Sequence, residues 1–344
     1  MSIIVALVIF GLLIFIHELG HFLLAKKGGI GVTSFSLGMG PAILKKKVGE
    51  TEYCLRIFPF GGSCAMIGED EESDAENAFN KKGVWTRISV VAAGPIFNFI
   101  LAFVGAIIMV LCIGVDKPII TDMMDGYPAY EAGVRAGDEV ISMNGRNIGV
   151  YRDVSMYIQL HQGEEIELVY ARDGKRFETT IVPKMDENGY YLMGISGGAY
   201  TKCSNPLELI KYAGCEVEYW IHMVFDSLKM MISGQVGRED VGGPVRIVSM
   251  IGETYEQSAA ISGFAVFINM LNMVIFLSAN LGVMNLLPIP ALDGGRLLIM
   301  MFEVLTKKRV PEKVEGYIHI AGFTVLMGLM VLILFNDISL MFFN

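Results

Sequence analysis

Four long apolar runs set the frame of this chain. Residues 88–115 and 261–292 contain no charged side chain. Residues 2–25 carry one acidic residue, Glu18, and two histidines, and residues 317–335 are apolar except for His319. About 20 helical residues cross a bilayer, so each run predicts a spanning helix. The first run has no basic residues ahead of it, and polar residues fall where the apolar stretch of a signal peptide would be unbroken. It reads as a true span. Between the second and third runs, residues 116–260 are mixed in polarity and read as a soluble insert.

The insert has a pattern of its own. Residues 116–126 predict a strand, 128–138 a short helix between turn residues, and 139–143 a strand closed by the turn Asn144-Gly145. Asp153 is placed to cap a helix over 154–161. Strands over 166–171 and 176–182 flank the second hairpin signal, Asp173-Gly174. After Pro206 an apolar-periodic helix runs to about 232, followed by a Gly-rich turn over 234–244. The segment 199–232 reads as an amphipathic helix that packs, lies on the membrane or clamps substrate.

Composition sharpens this picture. Of 344 residues, 53% are apolar and 18% charged, against about 25% charged in an average soluble domain. That excludes a disordered chain. The net charge of −9 leaves no basic footprint for nucleic acid. Five cysteines, at 54, 64, 112, 203 and 215, form neither a disulfide framework nor a paired thiolate metal site. Spacing alone does not decide whether Cys203 and Cys215 pair. The Lys45–Lys47 run and the acidic cluster Glu69–Asp74 read as solvated loop charge.

Basic residues flank the spans on one side. Lys26 and Lys27 follow the first, Lys81, Lys82 and Arg87 precede the second, and Lys307, Lys308, Arg309 and Lys313 lie between the third and fourth. The positive-inside rule then puts both termini and residues 116–260 outside, with 26–87 and 296–316 inside.

The first span carries His17-Glu18-Leu19-Gly20-His21, an HExxH pattern. On a helix the two histidines share one face and can bind one zinc ion, and the glutamate between them can act as a base on water. Ionisable groups inside a span cost about 2–3 kcal/mol or more unless paired, so they mark function. A catalytic zinc needs a third protein ligand and an open position. Asp293 is the best candidate, a lone carboxylate in Pro288-Ile-Pro290-Ala-Leu-Asp293-Gly294-Gly295, where prolines and glycines break the third span. Locally it reads equally well as a turn aspartate capping the next helix; an HExxH lacking a third ligand favours the ligand reading. His319 reads as a hydrogen-bonded histidine near a helix end.

These motifs resemble the site-2 protease family of intramembrane zinc metalloproteases, in its bacterial sigma-factor-regulating branch. The resemblance rests on HExxH, on Phe60-Gly61-Gly62-Ser63 through Gly68-Glu69, and on Ala93-Gly94-Pro95-Ile96-Phe97-Asn98. Tyr127–Gly145, Gly243-Pro244-Val245, and Asn285 through Gly295 continue the match. It implies a polytopic α-helical membrane protein with four transmembrane helices, a membrane-associated β-hairpin and an inserted α+β PDZ domain. The implied domains are 1–115 (with the β loop in 26–87), 116–200 for the PDZ domain, 201–260 for an amphipathic segment, and 261–344 for the last two spans. It further implies His17, His21 and Asp293 as zinc ligands, Glu18 as the catalytic base, and Asn285 as a substrate-backbone contact. Gly61 and Gly62 belong to a candidate strand edge within residues 53–68 that would hold substrate extended. Expected partners are the bilayer of a bacterial cell and single-span membrane proteins with shortened ectodomains, such as anti-sigma factors or remnant signal peptides, and no nucleic acid. A non-catalytic PDZ-bearing adaptor with a structural zinc and a metal transporter are the competing readings. The intact Glu18 disfavours the first, and a single compact cluster of ionisable residues disfavours the second.

Overall fold

The computed structural model describes residues 2–69, 71, 73–235, 237 and 242–343. Residues 236 and 238–241 of the expected turn, and 70 and 72 of the acidic cluster, lie outside the described residues. Among those described, the chain begins with α1 (Ser2–Lys27), β1 (Val32–Val48), β2 (Thr51–Met66) and α2 (Val84–Ile113). Then come β3 (Val115–Asp116), β4 (Ile120–Met123), α3 (Pro128–Glu131), β5 (Glu139–Met143), β6 (Arg146–Asn147) and α4 (Tyr151–Leu160). The strands β7 (Ile166–Arg172), β8 (Lys175–Ile181), β9 (Lys184–Met185), β10 (Tyr191–Leu192), β11 (Ile195–Gly197) and β12 (Tyr200–Thr201) follow. Five helices finish the chain: α5 (Pro206–Ile232), α6 (Pro244–Ile261), α7 (Gly263–Leu286), α8 (Asp293–Thr306) and α9 (Glu312–Phe343). The chain forms two compact units, Met1–Ala102 with Met230–Asn344, and Phe103–Lys229.

In the first unit, four helices are long and apolar enough to cross a membrane: Ile3–Lys27, Val84–Ile113 (which runs on into the second unit), Gly263–Leu286 and Lys313–Ser339. They coincide with the four apolar runs. Large apolar side chains stay exposed along them, such as Val325, Leu332 and Phe335, which suits lipid as the surrounding solvent. Ala6, Ile9 and Leu13 of α1 pack with Ile251 of α6 and Leu277 of α7. The N-terminus of α6 is capped from a distance: Asp337 of α9 is buried and accepts the N–H groups of Gly243 (2.9 Å) and Arg246 (3.3 Å). A carboxylate among apolar residues is thereby satisfied by orphan helix donors and a favourable dipole.

The hairpin of β1 and β2 folds on itself. Ser34–Leu37 lies between two parts of β2, Glu52–Leu55 on one side and Gly62–Ala65 on the other. Residues 44–48 pair with 51–55 beyond. Gly62–Met66 is therefore an outer strand of this small sheet. Its Cys64 and Met66 pack with Phe35, Val90, Val91 and Met300, joining the sheet to α2 and α8.

The second unit is a small α+β fold. Its largest antiparallel sheet has the order β6-β5-β7-β8, and β4 with β11, β3 with β12, and β9 with β10 form two-stranded pairs. Asn144 (φ 46°) and Gly145 (φ 76°) make one expected hairpin turn, and Asp173 (φ 50°) and Gly174 (φ 74°) the other. Positive φ at both central residues matches the right-handed twist of the flanking strands. The helix expected over 154–161 begins earlier, at Tyr151, so Asp153 lies inside its first turn and caps nothing. Its buried carboxylate instead accepts a hydrogen bond from Arg146 (2.5 Å). The long helix α5 is tied to this fold by charge. Arg152 reaches Glu216 through two bonds of 2.5 and 2.6 Å and Asp116 at 3.1 Å, and Arg146 reaches Asp226 at 2.6 Å. Glu216 is fully buried, so its charge depends on Arg152.

Replacing Arg152 by methionine is expected to cost about 3–5 kcal/mol within this unit, because two buried carboxylates lose their partner. Hydrogen exchange of the α5 amides in the full chain should accelerate, and Glu216→Gln added to Arg152→Met should restore part of the protection. Unchanged exchange in the single variant would contradict this role of the ion pair.

Candidate metal centre

Helical spacing places His17 and His21 one turn apart on α1, and the backbone of α2 lies against both rings. A Cβ at Gly94 would come within 2.3 Å of His21 Nε2 and 2.8 Å of His17 Cε1. A Cβ at Gly20 would meet the Ala93 carbonyl oxygen at 2.4 Å. Glycine at these two positions is what lets α1 and α2 cross with the imidazoles between them. Pro95 has no N–H to donate within α2. Five residues before it, Val90 O accepts the Nδ1–H of His21 at 2.9 Å.

Asp293 enters from the opposite side, at the first residue of α8. The third apolar run breaks after Leu286. Pro288, Pro290 and the left-handed Ala291 (φ 76°) turn the chain, and His319 of α9 accepts the Ala291 N–H at 3.1 Å. His319 is thus the hydrogen-bonded histidine expected from sequence. Two ion pairs hold α8 in place: Glu303 accepts two bonds from Arg87 of α2 (2.6 and 2.7 Å), and Arg296 pairs with Glu69.

The three side chains meet. His17 Nε2 lies 3.2 Å from His21 Nε2 and 3.2 Å from Asp293 Oδ2, and His21 Nε2 lies 3.4 Å from the same oxygen. Ligands at 2.0–2.1 Å around a tetrahedral zinc are separated by about 3.3 Å, so the triangle fits that ion. The polar bookkeeping agrees. His21 donates from Nδ1, so in the neutral ring Nε2 presents a lone pair. Asp293 Oδ2 is buried and has no hydrogen bond of acceptable geometry, although two ring nitrogens face it. Two imidazole lone pairs and a carboxylate oxygen converging in a buried place call for a cation.

Asn98 completes the surroundings. Its side-chain amide lies 3.2 Å from His17 Nδ1, and its Oδ1 is buried without a partner. An imidazole that ligates through Nε2 carries its proton on Nδ1. Turning the amide by half a rotation places its oxygen against that Nδ1–H, since oxygen and nitrogen fill the same space. The sequence resemblance includes Ala93–Asn98 but assigns Asn98 no role. A buried asparagine one turn beyond a glycine and proline in an uncharged span is the signal that was there to use.

A cavity of about 390 Å³ opens on the triad. Glu18, Gly62–Met66, Glu69 and Arg296 line it with the three candidate ligands. Gly62 is packed against α1, where a Cβ would lie 2.9 Å from Glu18 Cγ, so only glycine lets the strand run beside that carboxylate. Gly61 is elsewhere; its open side faces Met39, and it is not among the lining residues. Asn285 sits in the last turn of α7 and does not line this cavity either.

Gly94→Ala should force the imidazoles apart and abolish retention of a divalent metal through gel filtration, with helix content unchanged. Asn98→Ala should weaken metal affinity by about 10–100-fold in competition with a chelator. Wild-type affinity in both variants would contradict the arrangement described.

The sequence profile of peptidase family M50 matches residues 5–329. A protein of Clostridium acetobutylicum is 39% identical over 338 residues, covering 98% of this chain and 97% of that one. The zinc metalloprotease RasP of Bacillus licheniformis is 30% identical, with 99% of each chain covered. The regulator of sigma-W protease RasP of Bacillus subtilis is 28% identical, again with 99% of each covered. A solved PDZ domain of an SdrC-like protein from Listeria monocytogenes aligns with 24% of this chain and 87% of its own at 21% identity and a TM-score of 0.22. The match over nearly the whole length, together with the relatives, establishes that the chain belongs to peptidase family M50.

Proposed function

We propose that this chain is an intramembrane zinc metalloprotease that hydrolyses peptide bonds within the spans of single-span membrane proteins. The observation that carries the reading is the triad of His17 Nε2, His21 Nε2 and Asp293 Oδ2, spaced as zinc ligands are, with Glu18 on the same cavity. Zinc held there supplies Lewis-acid polarisation of a carbonyl and acidification of water. The chain's own groups do the rest. Glu18 takes the proton of the attacking water and passes it to the leaving amine. Asn98 and Val90 O fix the two imidazoles in the ligating tautomer.

A helical substrate hides its carbonyls in its own hydrogen bonds, so it has to be drawn out before it is cut. Gly62–Met66, an outer strand lining the cavity, supports strand addition as the means. Gly61 supports the turn of that strand in this reading, and Asn285 is kept as a backbone contact on resemblance alone. The α+β module within 116–200 is read as a PDZ domain that admits substrates with shortened ectodomains. The charge flanks support a bacterial cytoplasmic membrane protein with both termini and this module outside. The adaptor reading, a structural zinc without hydrolysis, is disfavoured by Glu18, which a structural site does not need.

The test is cleavage of a tagged single-span substrate by the purified full chain in detergent, beside Glu18→Gln, with zinc measured in both. We expect equal zinc, cleavage by the wild type, and a loss of at least about 100-fold in the variant. Zinc in both and cleavage in neither, across substrates with short and long ectodomains, would favour the adaptor. Cleavage surviving in Glu18→Gln would overturn the mechanism.

A further inference from the structure

The cavity has one ion pair that the chemistry above leaves unused. Glu69 follows the outer strand, Arg296 lies one turn after Asp293 on α8, and their side chains meet at the rim of the cavity. Glu69 makes a second contact with a specific backbone group. Ile67 N–H points inward and bonds Gly31 O at 2.8 Å. By strand alternation the N–H of Met66 points to the open edge, and Glu69 Oε2 accepts it at 3.3 Å. The last outward donor of the strand is therefore taken by a side chain. That side chain is in turn held by the helix that begins with a candidate metal ligand.

We propose that the Glu69–Arg296 pair is the end stop of the substrate-binding edge, and that it sets which peptide bond of an extended substrate lies at the metal. This rests on the strand-addition reading above. An added strand pairs with outward backbone groups, and the donor at Met66 is closed to it. Slippage in a strand pair proceeds in steps that keep the side chains on the same face. The stop is anchored to α8 through Arg296, so the end of the edge and the position of Asp293 are fixed to one another. Glu69 and Arg296 act as positioning residues: they choose the register and touch no reacting atom.

The experiment maps the cut by mass spectrometry of products from one single-span substrate. The full-length wild type, Glu69→Ala, Glu69→Gln and Arg296→Ala are compared, with zinc content and thermal unfolding measured for each. Glu69→Ala should uncover the Met66 N–H and move the cut, or add a second cut, by one pairing step, roughly two residues. Arg296→Ala should do the same to a smaller extent, because Glu69 is no longer held. Glu69→Gln keeps an acceptor for Met66 but loosens the tie to Arg296, so its cut should move no further than that of Arg296→Ala and less than that of Glu69→Ala. An unmoved cut in both alanine variants would overturn the proposal, whatever the rate. So would loss of all cleavage with zinc and stability intact, since the pair would then serve the reaction itself. Unfolding of both alanine variants would overturn it too, as the mark of a structural tie. A wild type that cuts nothing would instead defeat the protease reading on which the proposal stands.

Discussion

Two imidazole nitrogens and a carboxylate oxygen that converge inside an apolar helix bundle are costly unless a positive charge is shared among them, and their spacing suits a metal ion. Much of the first unit exists to hold that arrangement. Gly20 and Gly94 bring two helices together until the rings of His17 and His21 rest on backbone. Val90 O and Asn98 fix the far nitrogens of those rings. The broken end of the third span delivers Asp293 to the other side. Arg87 with Glu303, and His319 with the Ala291 N–H, hold the segment that carries it. These tethers come from elements far apart in sequence, so the site is a property of the packed bundle and not of one helix.

The same packing explains why polar groups recur where the chain is otherwise apolar. Asp337 and His319 both lie on the last long helix, and both are spent on backbone donors that no helix satisfies internally. Glu18 differs: it lines the cavity beside the triad, the place where the proposed reaction would need a base. The outer strand at Gly62–Met66 runs along the same cavity, so a backbone edge and the Glu18 carboxylate share one space.

Much of this was legible from sequence wherever the signal was local. Apolar runs long enough to span gave the four helices, HExxH gave two histidines and a glutamate that share one cavity, and Asn144-Gly145 and Asp173-Gly174 gave two hairpins. Asp293 was legible because a lone carboxylate stands among helix breakers. What escaped depends on contacts between distant segments. Asp153 looked like a cap but pairs with Arg146, a partner that no capping rule weighs. Helix α6 was missed because its N-terminus is completed by Asp337, more than ninety residues on. Glu69 reads as ordinary loop charge because its partner Arg296 is remote in sequence. Asn98 was seen as part of a motif, but the ring it serves lies on another helix.

The central claim is an open site built from His17, His21 and Asp293. X-ray absorption at the zinc edge on the purified full chain tests it most directly. The expected spectrum has a shell of nitrogen and oxygen at about 2.0–2.1 Å with the outer scattering of two imidazoles, and one light scatterer fewer in Asp293→Ala. A sulfur shell near 2.3 Å, or an unchanged spectrum in that variant, would contradict it.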